Sequence, residues 1–298
     1  MEWRKRALGG LFAVLACCHG CKPPELCVPV DTRLGFFSRG NCVVANAVFF
    51  QGHEWITYFG NQDLPEEVRF PRRDLTAIAE ANRRVDWPKE LLVHMNTSVF
   101  RYLDEVTAYT ERPEHQRFHF LLTDVNSSEE ASADAIAHIR ELTRKASYSW
   151  GRDRTAALAA VGQATHTIQD SFSAAHTVRD PDRDWCIVKV KAYMPRADGY
   201  NTPDIEYHGE KGEDRTGHIT VEDSIYREGR SCHDPERPSE VEACLNGQAQ
   251  RARLGTRDYL ALIQRAAAAL QTLSPDDYAQ RLDKALDDFI ALHLETCP

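Results

Sequence analysis

The most informative segment of the chain is Val161-Gly-Gln-Ala-Thr-His166-Thr-Ile-Gln-Asp170-Ser-Phe-Ser-Ala-Ala-His176, which contains the pattern His166-x3-Asp170-x5-His176. On a helix, His166 and Asp170 lie one turn apart on the same face, so an imidazole and a carboxylate can bind one ion. If the helix continues, His176 lies roughly 9 Å beyond Asp170 along the axis. That position suits a second ion, because paired metals in phosphoesterase sites lie about 3.5–4 Å apart. The spacing predicts a cluster of ions around Asp170; the alternative is three polar residues on an Ala-rich helix.

The rest of the chain predicts an all-α fold, a single multi-helix domain with long loops. Apolar residues recur at helical spacing in most segments, and only Cys186–Val190 has β-like character. Ser127 or Ser128 is expected to cap the helix that follows it. The expected elements are helices over 43–58 and 75–81, a turn over 82–88, helices over 89–110, up to 145 and over 152–176, a long loop over 179–214, a helix opening at 217, and closing helices over 248–273 and 275–294.

The amino terminus has the features of a secretory signal. A basic start is followed by the apolar run Ala7–Ala16, which is too short to span a bilayer. Val14-Leu-Ala-Cys17 is typical of a bacterial lipobox, with cleavage before Cys17 and a lipid attached to it; Cys18 is a second candidate. We expect a signal peptide over 1–16, a tether over 17–42 and the helical domain over 43–298, in an exported lipoprotein of the bacterial cell envelope or a secreted protein. The alternative is a plain signal peptide, or none.

Charge and cysteine content restrict the function further. The net charge of −9 and the pI near 5.7 argue against non-specific nucleic-acid binding. They do not exclude a nuclease, because metal ions can supply local positive charge. In an exported protein the even set of cysteines past the signal predicts up to three disulfides, and a cysteine zinc site is the weaker alternative. Their pairing is open, although the first two and the fourth and fifth would close short loops; they are Cys27, Cys42, Cys186, Cys232, Cys244 and Cys297.

A second ligand pair lies further along the chain. His218-x3-Glu222 repeats the one-turn geometry, and with His176 it completes a zinc set of two histidines and one carboxylate. The ion of His166 and Asp170 needs a further ligand. His119, in a loop between aromatic residues, is the best candidate.

These motifs resemble, in their order and spacing, the zinc-dependent phospholipase C family, whose all-α fold is shared with the fungal single-strand-specific nucleases. The resemblance lies in His53-Glu-Trp-Ile, then His119-Phe, then the central motif, then His218-x3-Glu222, and it covers roughly residues 43 to 290. It implies three ion positions. The first would be held by His119, His166 and Asp170, the second by His176, His218 and Glu222, and the third by His53, with Asp170 bridging the first and third.

The sequence departs from the family pattern in two places. In the family, the amine and carbonyl of an amino-terminal Trp complete the third ion site, whereas Trp3 lies in the signal and a lipidated Cys17 has no free amine. Other groups would have to complete that site. The family also has an acidic residue before the His-Phe histidine. We favour Asp86, in a turn before Pro88, as the group that orients or deprotonates the water; Glu105 and Asp104 are the alternatives.

Together, the motifs and the resemblance predict a zinc-dependent hydrolase of phosphodiester bonds. Phospholipid is the first substrate class, because a lipid-anchored enzyme meets phosphodiester head groups and the acidic chain lacks a basic stripe for nucleic acid. We expect a phospholipase C-like monomer with a cluster of two or three zinc ions and no stable nucleic-acid complex. The alternatives are a single-strand-specific nuclease of the same fold and a non-catalytic zinc-binding lipoprotein of the envelope. The other histidines are expected on the surface or in loops; they are His94, His115, His138, His208, His233 and His293.

Overall fold

The computed structural model describes residues 51–86, 112–123, 125–173, 176–191, 242, 243, 245 and 247–298. Most of these residues are helical, which agrees with the predicted all-α class. A small two-stranded sheet is the exception. The elements are α1 (Gln51–Gln62), a 3-10 helix (Glu66–Val68), α2 (Arg72–Asp86), α3 (Pro113–Gln116), α4 (Ser128–Ser149), α5 (Arg154–Asp170), β1 (Thr177–Asp180), β2 (Cys186–Val190), α6 (Gly247–Ala269) and α7 (Pro275–His293).

Helix α5 is the centre of the fold. The Asp153 carboxylate caps its start by accepting from the Ala156 backbone N–H at 3.0 Å. Alanine, which has the highest helix propensity, fills much of its first half. From its second turn onward α5 is buried on most sides, because α1, α2, α4 and α6 all pack against it. Its last turn therefore places polar side chains inside the protein.

The close approach of α2 to α5 depends on Gly162. A Cβ at this position would lie 2.3 Å from the Ile78 carbonyl oxygen and 2.6 Å from the Ala81 Cβ. Only a hydrogen fits there. One turn after Gly162 comes His166, so the same approach brings the buried Asn82 of α2 beside that histidine.

Two predicted helix boundaries are wrong. The central helix ends at Asp170 and not at His176, which lies beyond a turn. Helix α2 runs from Arg72 to Asp86, through most of the segment predicted to be a turn. The physical reason is that Pro88 restricts the residue before it, position 87, and leaves Asp86 able to remain helical.

Two predicted boundaries are confirmed. Ser127 caps α4 in a full capping box, since its hydroxyl accepts from the Glu130 N–H and the Glu130 carboxylate accepts from the Ser127 N–H. Helix α7 begins at Pro275, as predicted, and Ser274 supplies its cap.

The β-like character predicted for Cys186–Val190 is confirmed, and this segment pairs with β1 as an antiparallel hairpin. A disulfide joins Cys186 to Cys297 across a separation of 111 residues. Beside it, Ile187 and Thr296 form a parallel bridge that ties the carboxyl terminus to the hairpin. The other cysteines considered for disulfides lie outside the described residues.

None of the helices among the described residues is long and apolar enough to cross a membrane. The predicted signal (1–16), the tether (17–42), the start of the helical domain (43–50) and the predicted helix over 89–110 lie outside the described residues. The same holds for most of the loop over 179–214 and for the helix predicted to open at 217.

Candidate metal centre

The carboxylate of Asp170, the last residue of α5, is surrounded by imidazole rings. His166 lies one turn earlier on the same helix, and its Nε2 is 3.0 Å from Asp170 Oδ2, which confirms that the two side chains share one face. His53 comes from α1, and its Nε2 is 3.2 Å from Asp170 Oδ1. These three residues offer one ligand atom each within 4.8 Å of one another, so the group could bind a metal ion.

His119 reaches the same carboxylate from the turn that follows α3. Its Nδ1 lies 3.2 Å from Asp170 Oδ2 and 3.1 Å from His166 Nε2. The next residue, Phe120, is fully buried with a φ of 54°, in the left-handed region that a bulky residue rarely adopts. Surrounding packing must hold this conformation, which costs about 1–3 kcal/mol. The backbone is thus held in the shape that directs His119 at Asp170.

His176 lies closer to the cluster than a continuous helix would allow. Its Nδ1 is 3.9 Å from Asp170 Oδ2 and donates to the His119 carbonyl oxygen at 2.6 Å. The expectation that His176 stands well away from the first ion along a helix axis is therefore wrong, because α5 ends at Asp170 and the chain turns back. With Nδ1 donating, Nε2 is the nitrogen of His176 that could bind a metal.

Two amide side chains hold the rings of His53 and His166. Gln169 Oε1 accepts from His53 Nδ1 at 2.8 Å, and Asn82 Oδ1 accepts from His166 Nδ1 at 3.0 Å. Such bonds fix which nitrogen of a ligand histidine carries the proton. The sequence reasoning missed both amides. Asn82 could have been found as a polar residue at an apolar helical position, since it continues the buried series Leu75, Ile78 and Ala79 of α2.

The surroundings favour the ionised form of Asp170. Burial, the largest single influence, raises the pKa of its carboxyl. When the rings of His166, His176 and His53 are protonated, their charges and the hydrogen bond with His119 oppose burial and hold that pKa well below its usual value. A buried carboxylate at this position is therefore stable only with positive charge beside it.

The donor set fits a metal ion. A neutral ring with its proton on Nδ1 has a lone pair on Nε2, and His53 and His166 both direct that nitrogen at the Asp170 carboxylate. Lone pairs facing carboxylate oxygens at these distances repel each other. A cation between them removes the repulsion, and imidazole nitrogen with carboxylate oxygen is a donor set used for divalent transition metals.

A second unusual carboxyl group, missed in the sequence, lies next to the cluster. Burial raises the pKa of Glu54 to about 7, although Arg83 and His53 act in the opposite direction. Its Oε1 is 3.8 Å from Arg83 Nε. Glu54 is therefore a weakly paired acid between α1 and α2.

The structure brings together five of the residues predicted as metal ligands, His53, His119, His166, Asp170 and His176. His218 and Glu222 lie outside the described residues, as do Glu105 and Asp104. Asp86 is the last residue of α2 and does not form the predicted turn.

Three of the remaining histidines are not the surface or loop residues predicted. His115 and His138 are buried, and each packs its ring against Phe118 with centroids 5.1 and 4.7 Å apart. His293 is largely buried and its Nε2 bonds Asp258 at 2.9 Å. An imidazole is apolar enough to pack on aromatic rings, and spacing alone does not reveal this. His94, His208 and His233 lie outside the described residues.

No protein-family model, curated protein or solved structure matches this chain.

Proposed function

We propose that this protein is a zinc-dependent hydrolase of phosphodiester bonds with the fold of the zinc-dependent phospholipase C and single-strand nuclease type. The observation that carries the proposal is the buried Asp170 carboxylate, faced on both oxygens by imidazole nitrogens. Oδ1 faces His53, whereas Oδ2 faces His166 and His119. These imidazoles and this carboxylate would hold the proposed cluster of two or three ions.

The chain's own residues have distinct roles in this proposal. Asp170 and His166 form the rigid base of the site, because both lie on α5, which is packed on most sides. His119 and His176 join it from the turns that follow α3 and α5, and the bond between them keeps the two turns together. Zinc held here would supply Lewis-acid stabilisation of the phosphoryl group and an activated water. His218 and Glu222 would complete the second ion, and Asp86 would orient or deprotonate the water.

Substrate would enter beside His53. The His53 side chain is 21% exposed, whereas the other four cluster side chains are at most 2% exposed. Phospholipid head groups are the proposed substrate, because a net charge of −9 disfavours a polyanionic nucleic acid. Attachment of the monomer to the envelope membrane through a lipid on Cys17 or Cys18, after export, would bring the site to its substrate.

The test measures bound zinc and hydrolysis of p-nitrophenylphosphorylcholine for wild type and Asp170→Asn. Asparagine keeps the shape of the side chain and removes the charge that binds the ions. We expect wild type to bind zinc and hydrolyse the ester, and the variant to lose about 10²-fold or more of the activity together with bound zinc. Asp258→Asn is the matched control, since this carboxylate pairs with His293 away from the cluster and should leave both properties unchanged.

Each contrary outcome has a definite meaning. Zinc binding with hydrolysis of single-stranded DNA but not of the lipid ester would replace phospholipase by nuclease. Zinc binding with no hydrolysis of either substrate would reduce the protein to a zinc-binding lipoprotein. A wild-type chain that binds no zinc would overturn the proposal as a whole.

A further inference from the structure

Behind the metal-facing histidines lies a closed set of polar side chains, Thr57, Asn82, Gln169 and Thr256. All four are at most 3% exposed. Gln169 Nε2 donates to Thr57 Oγ1 at 3.0 Å and to Thr256 Oγ1 at 3.1 Å. Asn82 Nδ2 donates to Gln169 Oε1 at 3.0 Å and to Thr57 Oγ1 at 3.3 Å. These bonds form only if the NH2 and C=O ends of both amides point as they do in the structure.

The Thr57 hydroxyl decides which groups of this network donate and which accept. A hydroxyl has one proton, and Thr57 Oγ1 donates it to the His53 carbonyl oxygen at 2.7 Å, one turn earlier on α1. Thr57 can then only accept from Asn82 and Gln169. Both amides must direct their NH2 groups at it, and so their orientation is determined.

The amide orientation in turn determines two histidine tautomers. With its NH2 group at Thr57, Gln169 presents Oε1 to His53 Nδ1, and Asn82 presents Oδ1 to His166 Nδ1. As neutral imidazoles, both rings must then carry their single proton on Nδ1. The Nε2 lone pairs of His53 and His166 are left facing the two oxygens of Asp170.

With both amides turned over, every other group of the network would still have a hydrogen-bond partner. Only Thr57 disfavours that arrangement. If both amides turned over, the NH2 groups would face the Nδ1 atoms, and each ring would carry its proton on Nε2. His53 and His166 would then donate hydrogen bonds to Asp170, a closed arrangement that has no lone pairs for a cation. That arrangement would place two amide oxygens against Thr57, whose single proton is already used.

We propose that Thr57 is a positioning residue that sets the tautomers of His53 and His166 and thereby keeps Asp170 and both rings in the form that binds a metal ion. This inference rests on the metal centre of the proposed function. It concerns the binding of the ion and not the reaction, so the two can fail separately.

The experiment compares Thr57→Val with Thr256→Val and Thr57→Ser. Each valine variant replaces a hydroxyl that accepts from Gln169 Nε2 at nearly the same distance, but only Thr57 makes the bond to the His53 carbonyl oxygen. Within the described part of the chain Thr256 makes no other side-chain hydrogen bond, so its hydroxyl can turn to donate to an amide oxygen as readily as it accepts. Thr57→Ser keeps the hydroxyl and serves as the conservative rescue.

Two measurements on the full chain are made, the Zn²⁺ affinity by competition with a chelator and the histidine tautomers by ¹⁵N NMR without metal at alkaline pH. We expect wild type to show Nδ1 protonation of His53 and His166. Thr57→Val should shift both rings toward Nε2 protonation and weaken Zn²⁺ binding by about 10–100-fold, the usual effect of losing an outer hydrogen-bond partner of a metal ligand. Thr57→Ser and Thr256→Val should retain wild-type tautomers and affinity.

Several results would overturn the inference. Nε2 protonation of His166 in the wild-type chain would do so without any variant, and this measurement remains decisive if Thr57→Val fails to fold. Equal weakening by the two valine variants would show a general loss of hydrogen bonding and no specific role for Thr57. Absence of Zn²⁺ binding by wild type overturns both this inference and the proposed function, whereas Zn²⁺ binding with the expected tautomers and no hydrolysis overturns the function alone.

Discussion

Asp170 is the last residue of α5, and Arg179 of β1 bonds the Ser171 carbonyl at that helix end. The charges of these two residues are balanced in opposite ways. The guanidinium of Arg179 is satisfied within the chain. Nε donates to the Ser171 carbonyl at 2.7 Å, Nη1 to the Trp185 and His293 carbonyls at 2.7 and 3.0 Å, and Nη2 to the Ser171 hydroxyl at 3.0 Å. These acceptors include the carbonyls at the ends of α5 and α7, which carry partial negative charge.

The Asp170 carboxylate is instead faced by imidazole nitrogens, and a hydrogen bond with His119 is one of its contacts. Its oxygens meet His53, His166 and His119, but His53 and His166 have their Nδ1 protons committed to Gln169 and Asn82. A charge satisfied by the backbone serves stability, whereas a charge faced by lone pairs is suited to a cation from outside. Burial lowers the pKa of Arg179 to about 9, which still leaves the group charged at neutral pH.

The largest effect is expected from Arg179→Met. The variant leaves the carbonyls of Ser171, Trp185 and His293 without their donor, so the free energy of unfolding should fall by about 3 kcal/mol. The loss should be equal with zinc and with a chelator, because the Arg179 contacts are complete without an ion. Urea denaturation under both conditions measures it. Arg183→Met, at a half-exposed side chain paired with Asp180, is the control and should cost below about 1 kcal/mol. A loss that appears only with zinc would contradict the comparison.

Gly162→Ala should disturb the residues around Asp170 and leave the hydrogen bonds of Arg179 unchanged. The added Cβ meets the α2 backbone at Ile78, and separation of α2 from α5 should cost about 2–3 kcal/mol. Because Asn82 moves away with α2, Zn²⁺ affinity should also fall. Thermal denaturation and chelator competition measure the two effects. Gly151→Ala, where the new Cβ has nothing within 4 Å, should change stability and Zn²⁺ affinity little. Similar losses in the two variants would show that the close approach of α2 and α5 at Gly162 is not required.

The smallest effect concerns His138, a buried titratable group that is neither bonded like Arg179 nor part of the metal cluster. Burial, assisted by Arg117, His119 and Lys145, lowers its pKa to about 4. Its Nδ1 has no hydrogen-bond partner among the described residues, and the Glu141 carboxylate is 4.0 Å away, too far to bond. His138 therefore becomes protonated near pH 6.5 in the unfolded chain but only near pH 4 in the folded chain.

Stability should accordingly fall as pH drops through that window, by on the order of 2 kcal/mol for this group. His138→Leu removes the titration, so its stability curve should fall less steeply between pH 6.5 and pH 4 than that of wild type. Chemical denaturation in chelator at several pH values separates this effect from zinc loss. Parallel curves for the two proteins would show that His138 is protonated in the folded state.

Much of the fold and part of the site could be predicted because the relevant interactions are local. His166 and Asp170 meet because one helical turn separates them, and Ser127 caps α4 through a contact three residues away. The end of α5 could not be predicted in this way. The Ser171 carbonyl, which would otherwise continue the helix, accepts from Arg179 and from the Thr177 hydroxyl, and both lie in β1. A helix whose end carbonyl is bonded by side chains of a later strand shows no stop signal in its own residues.

The amino-acid pattern determined the helical class, the helical phase of the central segment and the types of side chain that can bind a metal. Only the tertiary structure decided which imidazole meets which oxygen of Asp170 and which nitrogen carries the proton. The bonds that make those choices join residues far apart in the chain, 116 positions from His53 to Gln169 and 84 from Asn82 to His166. Helical periodicity acts over a few residues, whereas a tautomer is chosen by whatever donor or acceptor packing places beside the ring.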